Sequence, residues 1–340
     1  LKAVRVPKEY AEEVRKFVEK IKAKDKGRLI VQRGDYIEIP VYNGFEDYFS
    51  EFEDYFSDYD VIEQEKPLFA KKYDLFEILK KDVPEGLHDS IPKRYKLIGD
   101  IILIKIPEEL EKYKEHVGEV LLNMHSRCKS VWLDRGKKGM LRKPEIELIA
   151  GEGSETIHRE NGCFFKLDVT KVMFSPGNLA ERMRMGRIVN DGEVVVDMFA
   201  GIGYFSIPMA VHSSPKKIYS IELNPDSYHF LIENMRLNAV RTIIPILGDS
   251  MYVTPEGIAD RVVMGHISCH EFLPVAIRAL KEGGAIHYHE STPEAVLNRP
   301  VERIKRAVEA EGREVDIKDI RKVKHYSPGV LHIVVDFFVY

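Results

Sequence analysis

One run, Val194-Val195-Val196-Asp197-Met198-Phe199-Ala200-Gly201-Ile202-Gly203, limits the possible folds of this chain more than any other stretch. An apolar segment of strand length ends in a carboxylate, and two glycines spaced by one residue follow at once. Glycines just beyond a strand let the backbone turn tightly and come close to a ligand. Gly-x-Gly alone fits a dinucleotide fold or a plain tight turn equally well, so the residues downstream decide. Asp197 ends this first strand, Glu222 ends a second in IYSIELNP, and Asp249 ends a third in ILGDS. Acids at three successive strand ends sit along one edge of a sheet, which is where open α/β sheets bind ligands. There Glu222 can accept both hydroxyls of a ribose, Asp249 can receive an adenine amino group, and Asp197 can serve the far end of a cofactor through water. Taken singly, each acid reads as a helix N-cap or a turn residue. As a spaced set with Phe199, Ala200, Gly201, Gly203 and Asn224, they read as a site for a nucleotide-type cofactor. A nicotinamide cofactor is disfavoured: its fingerprint asks for a third glycine at 206, and Ser206 stands there.

The surrounding pattern extends this to a fold. Beyond Phe174, strand-like segments at 194–198, 217–222, 243–247, 261–264, 285–289 and 331–339 alternate with helical stretches ending near 211, at 226–239 and at 301–311. Such alternation predicts an α/β fold with a doubly wound, mostly parallel sheet. The last strand follows a helix and a basic turn, which allows an antiparallel placement. Upstream, residues 8–24 read as a charged amphipathic helix with Tyr10, Val14, Phe17, Val18 and Ile21 near helical spacing. Residues 28–41 read as two strands around an Arg-Gly-Asp turn, and 97–106 (LIGDIILIKI) as a strong β segment followed by a helix over 107–123. Short strands at 130–133, 146–150, 155–160 and 163–167 complete a second α/β unit. The expected domains are 1–85, a small N-terminal α/β region; 86–172, a second α/β domain; and 173–340, the cofactor-binding domain.

Composition bounds the partners. A net charge of −4 excludes a nucleic-acid-binding polycation, so any RNA site must be a local basic surface. Residues 45–60 carry seven acids and no base, in a tandem near-copy of FEDYFS that is too short to be a solenoid and should repel phosphate. Arg135, Lys137, Lys138 and Arg142 flank glycines in an expected hairpin, a shape suited to reaching phosphates or simply a solvated loop. Cys128, Cys163 and Cys269 have no CxxC spacing, which fits a reducing, cytoplasmic setting. No apolar run approaches the roughly 18 to 20 residues of a membrane helix, and no secretory pattern opens the chain. Abundant Lys and Glu beside only two glutamines, Gln32 and Gln64, hint at a heat-adapted source.

DMFAGIGYFSIP, IELNPDSYHFLIENMRLN and GDS together resemble the class I methyltransferase (Rossmann-like) fold. Within it, LIGDIILIKIP and IHRENGCFFKLDVTKVMFSPGNLAER extend the similarity to the tRNA guanine-37 N1-methyltransferases and their relatives, over about residues 90–340. Two departures select a branch. Methyltransferases of the group have an Asn-Leu-Pro or Asn-Pro-Pro-like motif after the fourth strand, where this chain has Met264-Gly265-His266-Ile267. They also have an arginine after Phe-Ser/Asn-Pro, where this chain has Gly177-Asn178. Both departures, with VVMGHISCHEFL and GGAIHYHESTPE, resemble the archaeal tRNA 4-demethylwyosine aminocarboxypropyltransferases, the wybutosine-synthesis protein 2 family. The resemblance implies an S-adenosylmethionine donor, the anticodon loop of tRNA-Phe as partner with no stable protein partner, and 86–172 as the RNA-binding domain.

It also implies attack by C7 of a tricyclic base on the methionine Cγ, with methylthioadenosine released. The sulfonium supplies activation, so the protein mainly positions and desolvates. Ser175 and Arg182 are then candidates for the methionine carboxylate, although Arg182 reads equally as a surface helix charge. His266 and His289 are candidates for accepting the C7 proton, a task solvent can also perform. The spacing His266-x-x-Cys269-His270 with His287-x-His289-Glu290 raises a zinc site, but strand neighbours point to opposite faces and cannot all converge, so no metal is expected. Tyr288 or Phe174 could stack on a splayed base, or belong to the core, and Cys163 reads as buried packing. The competing functions are methyl transfer to guanine N1 and a non-catalytic RNA-binding protein that keeps the fold.

Overall fold

Alternation along β1 (Lys2–Pro7) buries Val4 and Val6 and starts an antiparallel sheet with β2 (Val31–Arg33), β3 (Tyr36–Pro40) and β4 (Asp60–Glu63), in the order β2-β3-β1-β4. The amphipathic helix forms at Ala11–Lys20, where Val14 and Val18 cover Val4, Val6 and Ile39 while Arg15 bridges Glu12 and Glu19 on the outer face. These elements belong to one compact unit, Leu1–Glu77, and the rest of the chain to a second, Ile78–Tyr340. The computed structural model describes residues 1–44, 58–69, 74–139 and 143–340. The FEDYFS repeat and Arg142 lie outside the described residues. No helix among those described is long and apolar enough to cross a membrane.

In the second unit, the segment 97–106 is a hairpin: β5 (Tyr95–Ile98) and β6 (Ile101–Ile104) meet at Gly99-Asp100. Gly99 has φ +56°, and a Cβ there would collide with Thr156 Oγ1, so only glycine turns the chain at this point. The helix Lys114–Met124 carries β6 over to a parallel β7 (Ser130–Lys138), which pairs antiparallel with β8 (Lys143–Gly151). A separate hairpin, β9 (Glu155–Glu160) and β10 (Cys163–Asp168), turns at Asn161-Gly162, both at positive φ.

The large sheet contains β11 (Val194–Asp197), β12 (Lys217–Glu222), β13 (Ile243–Leu247), β14 (Ala259–Met264), β15 (Leu280–Pro293), β16 (Val315–Ser327) and β17 (Val330–Val339), in the order β13-β12-β11-β14-β15-β17-β16. Pairing is parallel from β13 through β15 and antiparallel at β17 and β16. This is the α/β, doubly wound, mostly parallel sheet expected from the strand–helix alternation. The basic turn before the last strand is not a turn. It is β16, a strand of 13 residues, and register shifts at Ile317/Asp319, Lys322/Lys324 and His325/Ser327 break the alternation by which a strand is recognised.

The compact units meet in sequence at Glu77/Ile78, and position 172/173 lies inside the second of them. Two physical links span that position. Ile98, Ile101, Cys163, Phe165 and Phe174 share one core with Val195, Ile202, Ile218 and Phe230. In addition, side-chain amides near the end of the helix Pro225–Leu237 line the outer edge of β10. Asn234 Oδ1 accepts from Lys166 N at 2.6 Å, Asn238 Oδ1 accepts from Phe164 N at 2.8 Å, and their Nδ2 atoms donate to the carbonyls of Lys166 and Phe164.

A buried ion pair ties the β9–β10 hairpin to the helix Leu179–Ile188. Arg182 donates from Nε and Nη2 to both oxygens of Glu160 at 2.5 Å, with side-chain exposures of 2% and 4%. Burial pushes the Glu160 carboxyl up, and His158 and Arg182 together hold it below its ordinary value. Removing one member strands the other charge without water. Glu160→Gln is therefore expected to lower the unfolding free energy by about 3–5 kcal/mol, read from urea denaturation. The pairing is refuted as a structural tie if the midpoint does not move.

Candidate functional site

The strand order reverses at β11, which has β12 on one side and β14 on the other, and the crevice at such a switch point is where an open α/β sheet takes its ligand. Three acids lie at the C-terminal ends of β11, β12 and β13. Asp197 is fully buried. Its Oδ2 accepts from Ser206 Oγ at 2.6 Å, and Ser206 in turn accepts from Ser220 Oγ at 2.7 Å. Ser206 thus occupies the place of the missing third glycine because a hydroxyl is needed there to carry a hydrogen bond to the acid. Burial pushes Asp197 up to about 6, opposed by the Ser206 hydroxyl and the Phe199 N–H and reinforced by the nearby Glu222 charge.

Glu222 folds the glycine turn onto itself. Its Oε2 accepts from Gly201 N at 2.7 Å and its Oε1 from Asn224 N at 2.8 Å. Burial raises its carboxyl too, against those N–H groups. Gly203 has φ +97°, and a Cβ there would lie 2.6 Å from Ile207 Cγ1, so no larger residue fits the turn. Asn224 caps the helix Pro225–Leu237 by accepting from Asp226 N at 3.0 Å, and Asp249 caps the short helix Ser250–Val253 by accepting from Met251 N at 2.9 Å. Each cap uses one side-chain oxygen. Phe199 and Ala200 lie in the same turn, with Ala200 N held by the Ile221 carbonyl. The sequence-identified residues Asp197, Phe199, Ala200, Gly201, Gly203, Glu222, Asn224 and Asp249 are thus brought to one edge of the sheet.

Ser175 lies on the segment that leads into the helix Leu179–Ile188, and Arg182 lies in the first turn of that helix. Arg182 is 1% exposed, with its Nε and Nη2 on Glu160 and its Nη1 donating to the Ser175 carbonyl at 3.0 Å. Its guanidinium also lies over the Phe174 ring at 4.8 Å. It is not a surface charge: Nε, Nη1 and Nη2 all bond within the protein, and through the Ser175 carbonyl it orders the loop. Phe174 packs on His158, Phe165 and Tyr204 in the core. The Tyr204 hydroxyl donates to the Met173 carbonyl, which fastens this loop to the glycine turn.

His266 follows β14, its ring 5.6 Å from that of Phe199, while Gly265 before it leaves room for the Phe205 ring, 2.6 Å from where a Cβ would sit. His289 is fully buried; its Nδ1 meets His332 Nε2 at 3.0 Å, and its Nε2, 3.9 Å from Glu181 Oε1, has no hydrogen-bond partner among the described residues. Burial holds it neutral, well below its ordinary pKa, with the neighbouring His332 acting in the same direction. Glu290 accepts from Tyr288, Arg299 and Arg303. Tyr288 is core, as is Cys163, whose thiol burial raises to about 11. Among the described residues, no group of three or more His, Cys, Asp and Glu converges on a point that could hold a metal.

The β7–β8 hairpin forms, but its cations have carboxylate partners: Arg135 bonds Glu111 and Glu147, and Lys138 bonds Glu145. Lys137 reaches Tyr326. Three contributors escaped sequence reasoning. Ser220 carries no motif of its own. Glu160 becomes visible as a partner only once β9 is folded against the helix. Lys324 donates to Ser175 Oγ at 2.9 Å from a strand that its bulges disguise.

Comparison with known proteins agrees with this geometry. The chain matches the tRNA methyltransferase 5 N-terminal domain over residues 3–49, the TYW2 N-terminal domain over 75–154 and the TRM5/TYW2 methyltransferase domain over 156–317. It is 45% identical over 246 residues to the tRNA(Phe) (4-demethylwyosine(37)-C(7)) aminocarboxypropyltransferase of Methanocaldococcus jannaschii, covering 72% of this chain and 96% of that protein. The crystal structure of TYW2 from Pyrococcus horikoshii in complex with MeSAdo is similar at 41% identity and TM-score 0.69, covering 78% of this chain and 98% of its own. That of Trm5b from Pyrococcus abyssi is similar at 35% identity and TM-score 0.72, covering 99% of each chain.

A buried acid whose folded pKa is raised destabilises the fold when ionised. The penalty is absent below about pH 4 and develops as pH rises through about 6. Asp197→Asn should therefore stabilise the ligand-free protein at pH 7.5, by up to the order of 3 kcal/mol, and change little near pH 4. Melting curves across that range test it; an equal shift at both ends would contradict the assignment.

Proposed function

The chain belongs to the TRM5/TYW2 family, and we propose that it transfers the 3-amino-3-carboxypropyl group of S-adenosylmethionine to C7 of 4-demethylwyosine at position 37 of tRNA-Phe. The observation that carries this is the 45% identity, spanning 96% of the relative, to an enzyme named for that reaction. The turn and its acids fit such a donor. Gly201 and Gly203 leave the backbone open to close approach, and two desolvated carboxylates stand at the strand ends with no basic side chain paired to either among the described residues.

In this reading Glu222 takes the ribose hydroxyls and Asp249 the adenine amino group. Asp197 serves the amino-acid end, and Phe199, Ala200, Gly201, Gly203 and Asn224 shape the seat. The donor's sulfonium makes its thioether a good leaving group: the C7–Cγ bond forms as the Cγ–S bond breaks, and C7 then gives up its proton. His266, beside Phe199 at the rim, takes that proton or hands it to solvent. His289, neutral and buried, is a hydrogen-bonding group of the pocket wall rather than the base. Ser175 meets the methionine arm, and Arg182 acts on the loop from behind. The acceptor base leaves its stack in the anticodon loop to enter, as enzymes that work on a base require. The 86–172 region holds the RNA, in the cytoplasm.

Methyl transfer to guanine N1 has one observation in its favour, the match to Trm5b over 99% of this chain. Donor labelled separately in its methyl and carboxyl positions separates the two. With tRNA-Phe bearing 4-demethylwyosine, carboxyl label is expected in the RNA with methylthioadenosine released. Methyl label in the RNA, with S-adenosylhomocysteine released, would replace the proposal by the methyltransferase reading.

A further inference from the structure

The loop before the helix Leu179–Ile188 is fastened on both sides and carries a cation that comes from a distant strand. Tyr204, next to Gly203, holds the Met173 carbonyl, and Arg182 holds the Ser175 carbonyl. Between these ties, Lys324 of β16 donates from Nζ to Ser175 Oγ at 2.9 Å. Its side chain lies over Gly177: a Cβ at that glycine would stand 3.3 Å from Lys324 Cδ and 3.3 Å from its Nζ. Here glycine leaves that space to a lysine side chain arriving from across the sheet. The neighbouring guanidiniums are directed elsewhere: Arg182 to Glu160, Arg184 to Glu181 and Asp336, and Arg321 to Asp336.

We propose that Lys324, together with the Ser175 hydroxyl, binds the α-carboxylate of the donor's methionine arm; this rests on the aminocarboxypropyl reading above. In methyl transfer the carboxylate departs with the leaving group. In aminocarboxypropyl transfer it travels with the group that is delivered, and the adenosine thioether departs. A cation on the carboxylate then holds the moving part through the whole step and fixes which carbon meets the base. The donor's charges suit the arrangement, since the acids Asp197 and Glu222 lie at the glycine turn and the ammonium lies on the loop fastened to it. Lys324 is a positioning residue for the transferred group.

The test uses the full chain and three ligands by titration calorimetry: S-adenosylmethionine, its decarboxylated analogue, and methylthioadenosine. Lys324→Met should weaken S-adenosylmethionine about ten- to hundredfold, the loss of one charge-assisted hydrogen bond. The two ligands without a carboxylate should stay within about twofold, which also shows that the variant is folded. Lys324→Arg should restore most of the loss. The inference is overturned if all three ligands weaken together, or if donor binding is unchanged while affinity for tRNA falls, which would make Lys324 a backbone contact. Wild-type protein that binds none of the three would overturn the donor reading itself, a separate result.

Discussion

Two carboxylates held out of water at one edge of a sheet set the terms for the rest of this molecule. Burial raises the proton affinity of both Asp197 and Glu222, the Glu222 charge adds to the effect on Asp197, and there are few means of relief: two serine hydroxyls in series behind one, two backbone N–H groups in front of the other. Such desolvation is costly in an unliganded fold and useful for a ligand that brings hydroxyls to pair with the acids. It accounts for Ser206 in place of glycine, for the tightness of the turn at Gly203, and for the dense parallel sheet behind it. A fold that keeps two ionisable groups under strain needs the remaining elements to hold the edge in shape.

That support comes from upstream. The β9–β10 hairpin precedes the cofactor-binding half in sequence, yet its core residues pack against β11 and β12. Its arginine partner belongs to the helix that opens the cofactor-binding half. The ion pair Arg182–Glu160 fixes the Ser175 carbonyl, and the Ser175 hydroxyl is met by Lys324. Glycine turn, loop and β9–β10 hairpin are therefore mechanically continuous. Displacement of the hairpin would reach the glycine turn through a few short hydrogen bonds rather than through a flexible linker.

The legible parts of the sequence were those whose signal is local. Strand ends with acids, glycines at a turn, a Pro-started helix after Asn224 and the amphipathic helix at Ala11–Lys20 all carry their cause within a few residues. What stayed hidden depended on partners far along the chain. Arg182 reads as a surface charge until Glu160, 22 residues upstream, is seen beneath it. Lys324 reads as part of a basic turn, because three bulges in β16 destroy its alternation and its partner is 149 residues away. LIGDIILIKI reads as unbroken until Thr156 is found filling the place of a side chain at Gly99. The hairpin cations Arg135 and Lys138 look available to phosphate until Glu111, Glu147 and Glu145 are placed beside them.

The two asparagines that line β10 have a bearing on how such a chain survives crowding and heat. A two-stranded ribbon has an outer edge whose unpaired N–H and C=O groups invite a strand from another molecule. Here Asn234 and Asn238 mimic that strand from within, matching donors and acceptors at Phe164 and Lys166. The protection is conditional, since it exists only after the helix Pro225–Leu237 has docked. Until then a nascent chain exposes a sticky ribbon whose cover is made 68 to 74 residues later in synthesis. Colloidal stability of this protein is thus tied to the completion of its cofactor half, and the order of translation becomes part of its design against self-association.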